Sequence, residues 1–183
     1  MNPITPTVTA IIAAATISGA SALAPSSVQA PQLLRTQTAF DIIVHLPYAE
    51  AAPLFGPEGE RPWAGIHWDP QFLYPQPAHD EQGAVFIVHH GPVTAVWVNT
   101  LFDLEARHFQ YAYFIPDIMV TTIDVRFNVT DAANTGVHVV YTRTALTPDG
   151  NEHVTAFTAT DKTAGHDWQN AIDAYLSARK RKS

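Results

Sequence analysis

Residues 147–182 read TPDGNEHVTAFTATDKTAGHDWQNAIDAYLSARKRK. Apolar and aromatic side chains recur there at Val154, Phe157, Ala164, Trp168, Ala171, Ile172, Tyr175 and Leu176, three to four positions apart. That period belongs to one long amphipathic helix. Thr147, Asp149 and Asn151 are the residues able to cap its start. Arg179, Lys180, Arg181 and Lys182 lie at its end, where cations complement the helix dipole without needing an anionic partner. A helix of this kind must lay its apolar stripe on another element, and the chain upstream supplies one.

Working back from the helix, residues 137–146, 119–128, 108–114, 94–102 and 84–90 are runs of β-branched and aromatic residues separated by short turn-forming stretches such as LEAR and TDAANTG. Connections this short join antiparallel neighbours and leave no room for helical crossovers. Residues 40–46 form a first strand ending at Pro47. After it, 48–55 has a helical pattern stopped by Gly56-Pro57, and a second short turn spans 60–64. Residues 71–74 lie extended between prolines. The order predicts an α+β fold, a curved antiparallel sheet of six to seven strands wrapped on a long C-terminal helix, with two short helices after strand one. Sheet and helix surfaces diverge, so a space opens between them unless large side chains fill it.

The 183 residues suit one domain, expected over 38–178, with a signal-like segment and linker at 1–37 and a basic tail at 179–183. The leading segment is small and apolar from Val8 to Ala24, has no charged side chain before Arg35, and carries ASA at 20–22. These features lead to an expectation of export to a periplasmic or secreted location, with a cytoplasmic one if the segment is not a signal. No membrane span is expected in the mature domain. Net charge is −7, and without the four C-terminal cations 6 Lys and Arg stand against 17 Asp and Glu, which excludes a general nucleic-acid surface. There is no cysteine, so disulfides, zinc-thiolate sites and thiol catalysis are excluded together.

The element order, with the words ERPWAGIHWDP (60–70), GAVFIVHH (83–90), VWVN (96–99) and YTRTALTPDGNEHVTAF (141–157), resembles a bacterial group within the SRPBCC superfamily, which includes the START, Bet v 1 and polyketide cyclase families. The resemblance covers nearly all of 38–178. It implies the helix-grip fold and a cavity between sheet and long helix in which such proteins bind lipids, sterols, hormones or polyketides, some of them catalysing cyclisation, aromatisation or hydrolysis. Fold alone does not choose among these.

Strand alternation puts Phe86, Val88 and His90 on one face and His89 on the other, so neighbouring histidines cannot both serve the cavity. With Gly91-Pro92 as a two-residue turn, the face of Phe86, Val88 and His90 continues through Ala95, Trp97 and Asn99, and this is the expected inner face. A register shift of one residue would exchange the two histidines. On the helix, His153 stands four residues before Phe157 on a stripe continued by Asp161, Ala164 and Trp168, and is expected to face the sheet. The ligand-binding set read this way is His67, Trp68, Asp69, Phe86, Val88, His90, Trp97, Asn99, Tyr111, Tyr113, His153 and Phe157. The same aromatics would equally serve as core. Arg126 and Arg143 suit outward ion pairs, whereas an inward arginine would favour a carboxylate-bearing ligand.

Nine histidines invite a metal site, but no HxH, HExxH or facial-triad spacing occurs, so neither metal nor cofactor is expected. No GxSxG nucleophile motif occurs either. Three readings follow. The first is binding of a small hydrophobic, lipid-, sterol- or polyketide-like ligand in the cavity. The second is a cyclase or aromatase in which a buried neutral histidine, His90 or His153, removes a proton next to a carbonyl. The third is an exported domain whose core is filled.

Overall fold

The computed structural model describes residues 32–91 and 93–181 and, within them, leaves out the side chain of His90. The proposed signal segment falls almost wholly outside the described residues. The elements run β1 (Arg35–Val44), α1 (Tyr48–Ala51), a 3-10 turn (Ala52–Phe55), α2 (Pro57–Glu60), β2 (Gln71–Tyr74), β3 (Val85–His90), β4 (Val93–Asp103), β5 (His108–Ile115), β6 (Met119–Val129), β7 (Thr135–Ala145) and α3 (Gly150–Lys180). The seven strands form one antiparallel sheet in the order β1-β7-β6-β5-β4-β3-β2. Each strand from β2 to β7 pairs with its chain neighbour, as short connections require, and β1 closes onto β7.

Alternation sets the two faces of the sheet. On β3 and β4, Phe86, Val88, Ala95, Trp97 and Asn99 are buried while His89 is exposed, its Nδ1 3.0 Å from the Thr94 hydroxyl. Register shifts in β4 between Asn99 and Leu101 and in β2 between Phe72 and Tyr74 interrupt the ladder locally. β1 begins five residues before the apolar run at Phe40, because RTQT is drawn into the sheet by pairing with β7.

Helix α3 is seated at its start and near its middle. The Thr147 hydroxyl accepts from the Gly150 N–H (3.2 Å), and the Asn151 side chain accepts from the Leu34 N–H (2.7 Å), tying the helix start to the entry of β1. A Cβ on Gly150 would stand 2.1 Å from the Ile118 carbonyl oxygen, and one on Gly165 would stand 3.0 Å from the Phe40 Cβ. The helix therefore lies closest over β1 and β7. Two hydrogen bonds reinforce that seam: the Gln169 amide accepts from the Ile43 N–H (2.9 Å) and donates to the Ile43 carbonyl (2.8 Å). Over β3 to β6, away from the seam, there is room for a cavity. Among the described residues no helix is long and apolar enough to cross a membrane.

Gly150→Ala tests the seating of the helix. Alanine is the better helix former by about 1 kcal/mol, yet the Ile118 carbonyl must move to admit it. A net loss of about 1–3 kcal/mol in urea denaturation is expected. A gain would show that the helix start does not rest on that carbonyl.

Candidate functional site: a cavity under the long helix

A cavity of about 610 Å³ lies between α3 and the sheet. Phe86 on β3, Trp97 on β4, and Tyr111 and Tyr113 on β5 supply part of its floor, and Phe157, Asp161, Ala164 and Trp168 supply its helical wall. Glu60, Trp63 and Trp68 close a third side from α2 and the loop after it. Among the lining residues, Ala64, Gly65, Thr160 and Asp167 are exposed and mark the mouth. A volume of this size falls within the range of small-molecule sites.

The aromatic polar groups divide into two sets. The Trp63 indole N–H donates to the Leu54 carbonyl (2.7 Å), the Trp68 indole N–H to the Pro57 carbonyl (2.9 Å), and the Tyr111 hydroxyl to the Phe55 carbonyl. These bonds bolt the segment 54–57 to the cavity wall. Tyr113, Tyr141 and Glu60 also line the cavity, and their side chains make no hydrogen bond among the described residues. The Trp97 indole N–H is buried without a partner and its ring stacks on Tyr113 at 4.3 Å.

Two charged features differ in kind. Arg143 on β7 and Asp161 on α3 form a buried ion pair through Nη1 and Oδ2, each side chain 5% exposed. Asp161 Oδ2 also accepts from the Thr38 hydroxyl (2.6 Å). The guanidinium carbon lies 4.6 Å from the Tyr141 ring centre and 5.9 Å from that of Phe157, a cation–π arrangement. Glu60 has no such partner. Burial pushes its carboxyl well above the usual range, and the charge of Asp80 pushes it further. Asp80 itself accepts from the Glu58 and Gly59 N–H groups at the start of α2. Tyr141 is raised by burial first, then by Glu60 and Tyr113, which puts these three groups in one electrostatic neighbourhood.

Of the residues picked from sequence, Trp68, Phe86, Trp97, Tyr111, Tyr113 and Phe157 line the cavity. Val88 and Asn99 are fully buried but lie outside its lining; the Asn99 amide donates to the Glu81 carbonyl (3.1 Å). His67 and Asp69 are exposed, and Asp69 accepts from Arg61 (2.7 Å). His90 pairs with Val93 in the β3–β4 ladder, and its side chain lies outside the described residues.

The expectation that His153 faces the sheet is corrected: it is exposed, and the adjacent Val154 is buried in its place. At 3.6 residues per turn His153 lies about 100° from the Val154–Ile172 line, at the angle of the half-buried Ala171 on the edge of the stripe, but in the first turns of α3 that edge is exposed. The outward orientation expected of Arg143 is likewise corrected, whereas Arg126 does face out and pairs with Asp124 (2.9 Å). Glu60 was missed altogether, because a four-residue helix has no period from which to read a face. Among the described residues no group of three or more His, Cys, Asp or Glu is placed to hold a metal ion.

No family model matches the sequence, and no curated protein does. Solved structures do. Norcoclaurine synthase from Thalictrum flavum, in complex with dopamine and hydroxybenzaldehyde, superposes with a TM-score of 0.58 at 11% identity, over 82% of this chain and 90% of that one. This chain has the Bet v 1-like helix-grip fold. The Zhui aromatase/cyclase from Streptomyces sp. R1128 gives 0.54 at 16% identity, over 82% and 97% of the two chains. Ara h 8.0201 gives 0.56 at 13%, over 79% and 99%. All three are members of the SRPBCC superfamily, and at these identities the likeness is one of fold.

The two charged features predict different behaviour. Replacing Arg143 alone (Arg143→Met) strands a buried carboxylate, with an expected loss of about 3–5 kcal/mol in chemical denaturation. The double variant Arg143→Met/Asp161→Leu recovers most of it; no recovery would deny the pair its role. For Glu60 the folded carboxyl binds its proton more tightly than the unfolded one, whose ordinary value is 4.5. Stability from this group is therefore whole below that pH and declines as pH rises above it. Glu60→Gln should remove this slope, matching the wild type in acid and exceeding it increasingly at higher pH. Parallel stability–pH curves would contradict the placement of Glu60.

Proposed function

We propose that the protein binds a small, mostly apolar ligand with a ring skeleton in the cavity under α3. The observation that carries this reading is an open volume of about 610 Å³ lined by aromatic side chains, in which the polar atoms of Glu60, Tyr113 and Tyr141 make no hydrogen bond among the described residues. A filled core would have placed side chains in that volume, and buried polar groups of a purely structural interior are bonded to one another. The aromatic faces supply contact area and the three free groups supply orientation. The fold neighbours support this reading, since one of them carries two small ring compounds in its structure.

An enzymatic reading is favoured by one observation, the raised carboxyl of Glu60 beside the Tyr141 hydroxyl. A carboxyl held above its usual range is a stronger proton acceptor when ionised, with the phenol as donor to a developing oxyanion. Of the two histidine bases expected from sequence, His153 is exposed, and the side chain of His90 lies outside the described residues.

The binding reading is tested with N-phenyl-1-naphthylamine, a neutral fluorescent probe. Saturable enhancement at one probe per chain is expected. Ala164→Trp, which projects an indole into the volume, should weaken it by about tenfold or more, with circular dichroism confirming that the variant is folded. Native mass spectrometry of gently purified protein should show an adduct lost from the same variant. No enhancement, or equal binding by both proteins, would overturn the reading.

A further inference from the structure

The charges that face the cavity decide what polar group its ligand carries. Among the described residues, four charged side chains line it: Glu60, Arg143, Asp161 and Asp167. Arg143 is committed. Its guanidinium is paired with Asp161, covered by the Tyr141 and Phe157 rings, and 5% exposed. An inward arginine would by itself suit a carboxylate, but here the pair is electrically neutral and offers an incoming anion nothing. Asp167 stands at the mouth with its side chain 64% exposed and its Oδ1 3.6 Å from His166 Nδ1. Glu60 stands inside, with no hydrogen bond and no basic side chain bonded to it. Among the described residues, Glu60 is thus the acidic group of the lining that has no basic side chain within ion-pair distance.

The neighbouring surfaces reinforce that imbalance. Trp63, Trp68 and Trp168 line the same space with no cation over their rings among the described residues, and the negative face of an aromatic ring attracts a cation. Asp80, on the loop before β3, adds its negative charge to the field at Glu60. The geometry points to a ligand that carries a basic nitrogen on an aromatic or cyclic skeleton, its ammonium group seated at Glu60 and its ring system held among the tryptophans and tyrosines. This rests on the binding function proposed above and narrows it. An ammonium ion would bring the desolvated Glu60 carboxylate the partner that the protein does not supply.

Three probes with one skeleton test it: 2-(2-naphthyl)ethylamine, 2-(2-naphthyl)ethanol and 2-naphthylacetate, titrated by calorimetry and tryptophan fluorescence at pH 7.5. The amine is expected to bind the wild-type protein about tenfold more tightly than the alcohol, and the carboxylate more weakly than either. In Glu60→Gln the advantage of the amine over the alcohol should collapse. If the alcohol or the carboxylate binds the wild type as tightly as the amine, or if the preference persists in Glu60→Gln, the inference is overturned and the cavity reading stands. If none of the three binds folded wild-type protein, both fall. The ranking on the wild-type chain decides the matter even if the variant does not fold.

Discussion

The contact on which the arrangement depends is the buried ion pair between Arg143 and Asp161, extended by the Thr38 hydroxyl to β1. It joins the last strand, the first strand and the long helix at a point inside the cavity wall. Two charges removed from water cost several kcal/mol each, and their mutual attraction offsets this when the geometry is tight and spare lone pairs are satisfied. Asp161 meets that condition through its two donors. Arg143 meets it in part: its Nε is buried without a partner, while the rings of Tyr141 and Phe157 cover the guanidinium. A pair of leucines would hold the helix as firmly, but it would do so without a direction. The ion pair adds a directional contact at Asp161, on the side of α3 from which Phe157, Ala164 and Trp168 line the cavity.

Around that tie, the aromatic residues do two jobs that their positions in the chain do not distinguish. Trp63, Trp68 and Tyr111 use their polar atoms on backbone carbonyls of Leu54, Pro57 and Phe55, so the arm made of α1, the 3-10 turn and α2 is held against the barrel-like interior by side-chain donors. Tyr113 and Tyr141 keep their hydroxyls for the cavity. Because the arm is fixed, so is Glu60, its last helical residue, and the acidic character of the site follows from how three aromatic donors are used elsewhere.

The parts of this that were legible in sequence are those governed by period. Alternation along 84–99 separated Phe86 and Trp97 from His89, and the three-to-four spacing after residue 154 placed Phe157, Asp161 and Trp168 on one side of a helix. Where period is short or ambiguous, reading failed. Val154 lies in the middle of the stripe and His153 on its edge, where the spacing alone does not tell a buried residue from an exposed one. Glu60 sits in a helix too short to have a face. Arg143 alternates correctly for an inward residue, but its orientation becomes affordable only through a carboxylate eighteen positions away on another element, which a local pattern does not contain. The polar start of β1 is likewise a product of pairing with β7 rather than of its own propensity.

The Gln169 amide that bonds both polar groups of Ile43 has a consequence for the molecule's behaviour in company. A sheet of seven strands has two open borders, and an uncovered border invites a strand from another chain. At Ile43 the border is already occupied, because a side-chain amide presents the same donor and acceptor as a neighbouring backbone. At the opposite border β2 is four residues long and is flanked by Pro70 and Pro75. One border is blocked at a single position and the other is cut short, and both features hinder the addition of a strand from another chain at those places.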